Sequence, residues 1–453
     1  FAAMDILSAL GVSLIIPKSL KKALTPHLRV AISKTSDEAA QSFVSLKELL
    51  SVSWKLQIGD DSIDPHVLDQ MIEQGRSYVQ FKGQFVHLDE KEIQKLKKRM
   101  EKELRFSSLD LLKAHLLGTF EDQPIIADKQ VKDVFDSLLA QKSAKLPACF
   151  TAQLRPYQER GYQWLVHNHN IGLGSLLADD MGLGKTVQVI ALLAHLQENQ
   201  VIHLKKPALI IVPASLISNW IAEINRFAPS LSTYAFHGQK RSEQEKAHCI
   251  ITTYATVRND TELLCKTKFS VAILDEAQNI KNNQTSQSKA VQKIKYDWAL
   301  ALTGTPVENR LLDFYSIVDS VMKGYLGSRA SFVQQYSIPI ERYQDARTSQ
   351  AFKTLTAPLM LRRVKTDKTV IADLPDKLVS DKYANLTLEQ KILYQQIVEQ
   401  TEKTLQDKDG ISKKGAVFAL MTALKQVCCH PALYCETAGK EAALSGKTTL
   451  LLD

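Results

Sequence analysis

Cysteine is scarce in this chain, with six residues among 453. That content excludes a disulfide-stabilised scaffold at this length and favours a reducing compartment. Long hydrophobic runs are also lacking, since none approaches the ~18 apolar residues that a membrane-spanning helix needs. The best stretch, 208–217, is interrupted by Pro213 and Ser215. We therefore expect no membrane among the partners.

Internal repeats and low-complexity tracts are absent as well, and the composition is that of a folded protein. Hydrophobic residues make up 45% and charged residues 23%, which excludes a disordered, collagen-like or coiled-coil chain. The length suggests about three domains of ~150 residues each. The net charge of +8, from 57 basic and 49 acidic side chains, fits a polyanionic partner but decides little by itself.

Residues 1–147 mix helical patterns with a predicted β-hairpin and indicate an α+β accessory domain. The segment YVQFKGQFVHL has two β-rich arms around a Lys-Gly turn signal. Asp89 and Glu92 then show capping-box spacing before a helix that carries both signs of charge. A solvated helix face explains that helix better than a nucleic-acid patch does. A boundary is predicted in 141–151, where polar residues and proline break the pattern.

Residues 148–379 alternate short apolar runs with helical stretches. This rhythm predicts an α/β fold with a doubly wound parallel sheet, which binds ligands at the carboxyl ends of its strands. The predicted strands are buried runs bounded by turn residues, at 175–178, 208–212, 233–236, 249–252, 271–274 and 299–302.

Residues 380–453 are predicted to be mostly helical. Thr387 and Gln390 have capping-box spacing before a helix over 388–401, and 416–427 is a second apolar helix.

The segment ADDMGLGKTVQ is the strongest local signal, because a predicted strand leads through a glycine-bearing turn directly into a helix. The glycines let the backbone approach an anion closely, and N–H groups at the helix start point at phosphates. Lys185 would reach the β- and γ-phosphates, and the Thr186 hydroxyl would bind Mg²⁺. The strict pattern has glycine where this chain has Asp179. The residues predicted to bind nucleotide here are Asp180, Met181, Gly182, Leu183, Gly184, Lys185 and Thr186.

Two other patterns imitate sites that we do not expect. A second Gly-Lys-Thr run, at 446–448, has Glu441 at the leading glycine position and no second glycine within the loop. The cysteines at 428, 429 and 435, together with His430, lack the paired CxxC spacing that is typical of zinc sites. We expect neither a second phosphate loop nor zinc.

A phosphate loop needs a metal-holding carboxylate at the end of a neighbouring strand. The predicted strand 271–274 is followed at once by Asp275 and Glu276, in VAILDEAQ. Asp275 would hold Mg²⁺, and Glu276 is placed to orient and polarise the attacking water. Both halves of a nucleotide site thus occur in order, which predicts ATP and Mg²⁺ as cofactors.

An ordered set of motifs resembles a named group. The motifs are LRPYQERGYQWL (154–165), DDMGLGKT (179–186), ALIIVPASLISNW (208–220), ITTYATV (251–257), DEAQ (275–278) and LTGTPVEN (302–309). They resemble the first motor lobe of helicase superfamily two, specifically the SWI/SNF-type DNA-translocating ATPases. The segments LMLRRVKTDKTVIADLPDK and ALKQVCCHPAL strengthen the resemblance, which covers about 154–453. It implies a RecA-like, ATP-binding lobe over 148–379.

The resemblance also implies roles for single residues. Gln158 should bond the adenine edge, because its amide offers both a donor and an acceptor. Gln278 joins Lys185, Asp275 and Glu276 in the catalytic set. The run Thr303, Gly304 and Thr305 should couple the γ-phosphate to movement of the lobes.

DNA contacts of the implied kind follow the phosphate backbone and carry no sequence information. The residues expected to make them are Ser215, Thr253, Asn309, Arg362 and Arg363. Trp220 is expected in the core rather than against a base.

The resemblance extends to both ends of the chain. Residues 1–147 are similar to the accessory region that precedes the motor in bacterial members. Residues 380–453 resemble the start of a second motor lobe, and no later arginine motif supplies its arginine finger, which is worth ~10³–10⁵ in rate. We therefore expect this polypeptide to bind Mg-ATP and DNA but to hydrolyse ATP poorly.

The implied partners are double-stranded DNA and a protein displaced from it. The implied location is the bacterial cytoplasm, at the nucleoid, or the nucleus of a eukaryote. Two alternatives stay open: an RNA-directed helicase of the same superfamily, and a non-catalytic nucleic-acid-binding scaffold.

Overall fold

The computed structural model describes residues 25–35, 42, 45–59, 61–73, 78–82, 84–101, 106–120, 123–238, 246–305, 310–368, 370, 380–406, 410–435 and 437–452. The chain forms two compact units, Phe1–Leu374 and Pro375–Asp453. The domain divisions after residues 147 and 379 stay predictions.

The N-terminal region has its own five-stranded sheet, in the order β3-β2-β1-β7-β6. Its elements, in chain order, are the strands β1 Pro26–Lys34, β2 Leu50–Ile58, β3 Asp61–Ile63, β4 Tyr78–Phe81, β5 Gln84–His87, β6 Thr119–Phe120 and β7 Gln123–Ala127, and the helices α1 Leu46–Leu49, α2 Pro65–Glu73, α3 Glu90–Met100, α4 Ser108–Leu117 and α5 Lys129–Leu139. Strand β1 pairs antiparallel with β2 and parallel with β7.

The β-hairpin and the capped helix that follow have the predicted positions. Strands β4 and β5 pair antiparallel, and Lys82 between them has the left-handed backbone (φ +47°) that such a tight turn requires. The Asp89 side chain accepts hydrogen bonds from the N–H groups of Lys91 and Glu92 at the start of α3. Ile93 on the inner face of that helix is buried.

The larger sheet has seven strands in the order β10-β11-β9-β12-β13-β8-β14, and every pairing in it is parallel. Its strands are β8 Ser175–Leu177, β9 Ala208–Val212, β10 Thr233–Phe236, β11 Cys249–Thr253, β12 Phe269–Leu274, β13 Tyr296–Leu302 and β14 Met360–Leu361. Strands β9, β11 and β12 are buried along their whole length, as expected of a parallel sheet covered on both faces.

Helices and turns connect these strands. They are α6 Pro156–Ile171, α7 Lys185–Glu198, α8 Ile217–Phe227, α9 Tyr254–Asn259, α10 Thr261–Leu264, α11 Ser286–Val291, α12 Leu311–Val321, α13 Arg329–Phe332 and α14 Ala346–Thr356, with 3₁₀ turns at Ala214–Leu216 and Ala277–Ile280 and a π-helix at Val333–Arg342. The α/β fold with a doubly wound parallel sheet is confirmed. Strand β14, two residues long, is the one described strand of this sheet that the sequence did not predict.

One continuous hydrophobic cluster joins the N-terminal sheet to the larger sheet. It includes Val30 of β1, Leu111 of α4 and Phe135 of α5, together with Leu176 of β8 and Leu209 of β9. Burial of such shared apolar surface is the main favourable term in packing the two regions together. Within the described residues, no helix is long and apolar enough to cross a membrane.

The second unit is helical where the structure describes it. Its elements are α15 Leu388–Gln406, α16 Gly410–Cys429 and α17 Gly446–Leu452, with 3₁₀ turns at Pro431–Leu433 and Ala442–Leu444. The predicted capping box is present, because the N–H of Gln390 donates to Oγ1 of Thr387 and the N–H of Thr387 donates to Oε1 of Gln390.

The cysteine/histidine cluster and the second Gly-Lys-Thr run both have structural roles in this unit. His430 caps the turn that follows α16, since its Nδ1 accepts a hydrogen bond from the N–H of Ala432. In the second Gly-Lys-Thr run, the N–H of Gly446 donates to Gln390 and that of Thr448 donates to the Ser445 hydroxyl. Side chains therefore already bind N–H groups that a phosphate loop would offer to its ligand.

Candidate nucleotide site

The loop between β8 and α7 has the shape of an anion cradle. Gly182 and Gly184 have positive φ angles of 83° and 72°, a conformation that a side chain would strain. Nζ of Lys185 donates to the carbonyl oxygen of Asp179 at 2.7 Å and to that of Asp180 at 3.3 Å. The ammonium group thus folds onto the loop's own carbonyl groups, within reach of any anion held there.

Gln158, near the start of α6, lies directly against this loop. Its Nε2 donates to the carbonyl oxygen of Leu183 at 3.2 Å, and its Oε1 accepts from the N–H of Arg155 at 2.9 Å. The approach is so close that a Cβ on Gly184 would overlap the Gln158 amide. Next to it is a cavity of about 430 Å³, lined also by Val187, Arg226, Phe227 and 151–153.

Asp275 and Glu276 lie at the carboxyl edge of the sheet, where β12 ends. One strand, β13, separates β12 from β8, so the acidic pair and the phosphate loop share this edge. Burial lowers the pKa of Lys185, while the charges of Asp179, Glu276, Asp275 and Asp180 oppose that shift. Glu276 has a left-handed backbone (φ +48°), an uncommon conformation for a non-glycine residue that is often found at functional sites.

Two aromatic residues hold the Asp275 backbone and carboxylate. Nε1 of Trp220 donates to Oδ2 of Asp275 at 2.8 Å, and the hydroxyl of Tyr254 donates to the Asp275 carbonyl oxygen at 2.7 Å. Burial raises the pKa of Asp275, and the charge of Glu276 raises it further, whereas the Trp220 hydrogen bond lowers it. Sequence reasoning placed Trp220 in the core but missed its contact with Asp275, and it missed Tyr254 altogether.

A chain of hydrogen bonds links the acidic pair to the loop after β13. Nε2 of Gln278 donates to Oε2 of Glu276 at 2.6 Å, and the Thr303 hydroxyl donates to Oε1 of Gln278 at 2.9 Å. The N–H of Thr305 then donates to the Thr303 hydroxyl oxygen. The structure therefore brings together the residues that the resemblance assigned to coupling. Gly304 adjoins the phosphate loop itself, since a Cβ there would lie 3.0 Å from Cγ of Met181.

Arg363 lies at the phosphate loop, on the segment after β14. Its Nε donates to Oδ1 of Asp179 at 2.9 Å, and its Nη2 pairs with Oδ2 of the same carboxylate. Its guanidinium also donates to the Tyr157 carbonyl oxygen and to Oε1 of Gln188. The side chain of Arg363 is 10% exposed and paired with Asp179, which favours a role inside the lobe, and its contact with DNA stays a prediction.

A family model described as SNF2-related domain matches residues 157–433 of this chain. The chain belongs to the SNF2-related family. A second model, described as SNF2 Helicase protein, matches residues 2–116, so the N-terminal region is also similar to proteins of this group.

Curated relatives of this SNF2-related chain come from bacteria and eukaryotes. It is 34% identical over 478 residues to the putative ATP-dependent helicase/translocase YwqA of Bacillus subtilis, covering 99% of this chain and 51% of that protein. It is 34% identical over 322 residues to the TATA-binding protein-associated factor MOT1 of Saccharomyces cerevisiae, covering 64% and 17%. The chain therefore spans about half the length of YwqA and less of MOT1.

Among solved structures, the chain is similar to the Sulfolobus solfataricus SWI2/SNF2 ATPase core in complex with dsDNA. The two share 37% sequence identity over 69% of this chain and 65% of that one, with a TM-score of 0.49.

The other expected DNA contacts of this SNF2-related chain differ in accessibility. Ser215 is exposed in the 3₁₀ turn after β9, and Arg362 is exposed beside the partly buried Arg363. Thr253 is only 3% exposed, and its hydroxyl oxygen caps α9 by accepting from the N–H of Thr256. Asn309 lies outside the described residues.

The residues present fit a magnesium ion. Asp275 is a buried carboxylate beside a second carboxylate, Glu276, and burial and that neighbouring charge raise its pKa. A divalent cation would relieve this repulsion, and Mg²⁺ prefers one or two protein carboxylates plus substrate phosphates as ligands. Thr186, in the first turn of α7, adds a hydroxyl oxygen next to Lys185.

Proposed function

We propose that this SNF2-related chain is the ATP-binding lobe of a motor that moves along double-stranded DNA and remodels protein–DNA complexes. The observation that carries the proposal is the hydrogen-bonded chain from Glu276 through Gln278 to Thr303 at the sheet edge shared with Lys185. Such a chain ties the group that would orient water to a loop on a neighbouring strand. A motor needs a connection of this kind to link the state of its nucleotide to movement.

In this proposal each part of the site has one task. The loop N–H groups and Lys185 hold the β- and γ-phosphates, with the helix dipole of α7 favouring the negative charge. Mg²⁺, held by Asp275 and Thr186, would neutralise charge on the phosphates. Glu276 orients the attacking water, and Gln158 with its adjoining cavity accepts the adenine base. Gln278 and Thr303 pass the state of the γ-phosphate to the rest of the lobe.

The proposed partner is the phosphate backbone of duplex DNA, together with a protein bound to it. The names of the relatives support this, since one is a helicase/translocase and another a TATA-binding protein-associated factor. Ser215 and Arg362 are exposed, and the net charge of +8 favours a polyanion. DNA binding by the full-length protein should fall with salt, at a log–log slope of about −0.9 per phosphate contact. A flat response to salt contradicts backbone contacts.

The first experiment compares two lysines in identical Gly-Lys-Thr runs. We expect Lys185→Ala to abolish binding of a fluorescent ATP analogue and Lys447→Ala to leave it unchanged, because side chains already bind N–H groups of the second run. Fluorescence anisotropy at equal protein concentrations measures both. Equal binding by the two variants would sink the assignment of the nucleotide site.

The second experiment separates the motor from its two alternatives. In the full-length protein, Glu276→Gln should abolish hydrolysis and spare ATP binding; unchanged turnover revives the non-catalytic scaffold. Wild-type turnover should rise with duplex DNA more than with RNA. Stimulation by RNA alone favours the RNA-directed helicase.

We also propose that these 453 residues alone hydrolyse ATP slowly. Arg363 contacts the phosphate loop, but its guanidinium is committed to Asp179 and is not free for the γ-phosphate. An arginine finger supplied from elsewhere contributes ~10³–10⁵ in rate. Robust DNA-stimulated turnover by this polypeptide contradicts the proposal.

A further inference from the structure

We infer that Arg363 is a positioning residue of the nucleotide site, and that its ion pair with Asp179 sets the shape of the phosphate loop. The inference rests on the proposed ATP binding. It explains why the chain has an aspartate six residues before Lys185, where the strict phosphate-loop pattern has glycine.

The ion pair is buried and has bidentate geometry. Asp179 is 0% exposed. Its Oδ1 accepts from Nε and from the backbone N–H of Arg363, at 2.9 and 3.0 Å, while its Oδ2 pairs with Nη2. A planar guanidinium matches a carboxylate in this way better than any other side chain does.

The same guanidinium connects the loop to the two helices beside it. Nη1 donates to the Tyr157 carbonyl oxygen of α6, and Nη2 donates to Oε1 of Gln188 of α7 at 2.8 Å. Arg363 also lies over the Tyr157 ring, with its central carbon 5.1 Å from the ring centroid. Three elements that surround the nucleotide site therefore meet at one side chain.

Gly161 makes room for this arrangement. It lies in the interior of α6, where glycine weakens a helix relative to alanine. A Cβ at this position would overlap Oε1 of Gln188 and lie 2.8 Å from Nη2 of Arg363. Packing of the guanidinium thus accounts for a glycine that helix formation disfavours.

Backbone pairing continues from the sheet into the loop. The N–H of Ala178 donates to the Leu361 carbonyl oxygen at 2.7 Å, and the N–H of Asp180 donates to that of Arg363 at 3.0 Å. The N–H of Lys365 then donates to Oδ2 of Asp180. The segment after β14 therefore holds the first half of the loop through backbone and side chains together.

Charge explains why this matters for ligand binding as well as for folding. The carbonyl oxygen of Asp179 lies 2.7 Å from Nζ of Lys185, so its carboxylate is close to the place where a triphosphate would bind. An uncompensated carboxylate there would repel the anion, and the repulsion is strong in a low-dielectric site. Arg363 cancels that charge and fixes the carboxylate away from the ligand.

The test replaces Asp179 with the glycine of the strict phosphate-loop pattern. If Asp179 were only a tolerated departure, Asp179→Gly would leave ATP affinity unchanged or raise it. We expect it instead to weaken ATP binding at least ~tenfold. A displacement of catalytic groups by ~1 Å can lower a reaction rate ~10²-fold, so small shifts of the loop should matter. Arg363→Met should weaken it further, because it leaves the carboxylate unpaired. The double variant should resemble Asp179→Gly alone, and Arg347→Met, at an exposed arginine in α14, should bind as the wild type does.

The number of phosphates on the nucleotide distinguishes an effect on the phosphate loop from a general loss of stability. Competition titrations with AMP, ADP and ATP should show a loss that grows with each phosphate, whereas general destabilisation weakens all three equally. Gly161→Ala keeps both charges but displaces the guanidinium, so it tests the inference if Arg363→Met fails to fold. Wild-type affinity in Asp179→Gly overturns the inference. Absence of ATP binding in the wild type, or unchanged binding in Lys185→Ala, overturns the proposed function instead.

Discussion

Trp220 and Asp275 are joined by a hydrogen bond from the indole Nε1 to the carboxylate Oδ2, across 2.8 Å. Both side chains are buried, at 2% and 8% exposure. Trp220 comes from α8, after β9, and Asp275 follows β12, the strand beside β9. The contact therefore fixes the orientation of the Asp275 carboxylate from the helix that follows the neighbouring strand. Hydrogen bonds of this supporting kind are common around metal-binding carboxylates.

Trp220→Phe should impair catalysis more than stability. Phenylalanine keeps most of the ring packing but removes the donor, so the buried Oδ2 loses its partner. Loss of such a supporting hydrogen bond typically costs ~10–100-fold in metal affinity or activity. We expect a rise of that order in the Mg²⁺ concentration that gives half-maximal ATP hydrolysis by the full-length protein.

Trp298→Phe is the matched control for this substitution. Trp298 is also buried, and its Nε1 donates at 2.8 Å to the Leu173 carbonyl oxygen, just before β8 rather than at its carboxyl end. We expect a similar loss of stability and an unchanged Mg²⁺ requirement. The same shift in both variants would mean that Trp220 acts only through packing.

Acidification should destabilise the folded chain below about pH 6.5. Burial lowers the pKa of five histidines, His115, His167, His169, His195 and His248, from the ordinary value of 6.5. The unfolded state therefore takes up protons first as the pH falls, so the stability is present above pH 6.5 and is lost as the pH drops toward the lower folded-state values. Melting temperatures at pH 7.5, 6.5 and 5.5 measure this loss. His167→Gln should reduce the loss of melting temperature on acidification, whereas the control His66→Gln, at an exposed histidine, should leave that loss unchanged.

The features that the sequence predicts best are those that depend on local patterns, such as the strands and the loops that follow them. All six predicted strands begin or end at the predicted residue, because buried apolar runs bounded by turn residues are distinctive. The phosphate loop and the acidic pair were equally visible, since each follows a strand directly.

Contacts between distant segments could not be predicted in this way. Asp179 and Arg363 are 184 residues apart, and β14 is too short to show any periodicity. From the sequence alone, Arg363 is associated with DNA, because an arginine in a motif suggests a phosphate contact and nothing local reveals its pairing with Asp179. The Trp220–Asp275 hydrogen bond depends in the same way on the neighbouring positions of β9 and β12, which a single sequence does not reveal.

Gly184→Ala should weaken ATP binding at least ~tenfold. The added methyl group would overlap the Gln158 amide and approach Val187, besides straining a backbone with φ +72°. Gly172→Ala is the control, because Gly172 has nearly the same angle, +75°, but no atom within 4 Å of the added carbon. It should cost about 1–2 kcal/mol of stability from backbone strain and leave ATP affinity unchanged. Equal affinity losses in the two variants would show that strain, and not contact with Gln158, is responsible.

Thr303→Val should uncouple ATP hydrolysis from DNA. Valine has nearly the same shape but lacks the hydroxyl that donates to Gln278 and accepts from the N–H of Thr305. The phosphate loop is untouched, so ATP affinity should stay within ~threefold of wild type. Coupling free energies between sites typically correspond to ~5–150-fold effects. We therefore expect duplex DNA to stimulate hydrolysis by the full-length Thr303→Val protein less than by the wild type, by a factor in that range. Thr354→Val, which removes an exposed hydroxyl bonded within α14, should keep the full stimulation. Undiminished stimulation in Thr303→Val would remove Thr303 from the coupling chain, and Glu276 and Gln278 would then have to act through another contact.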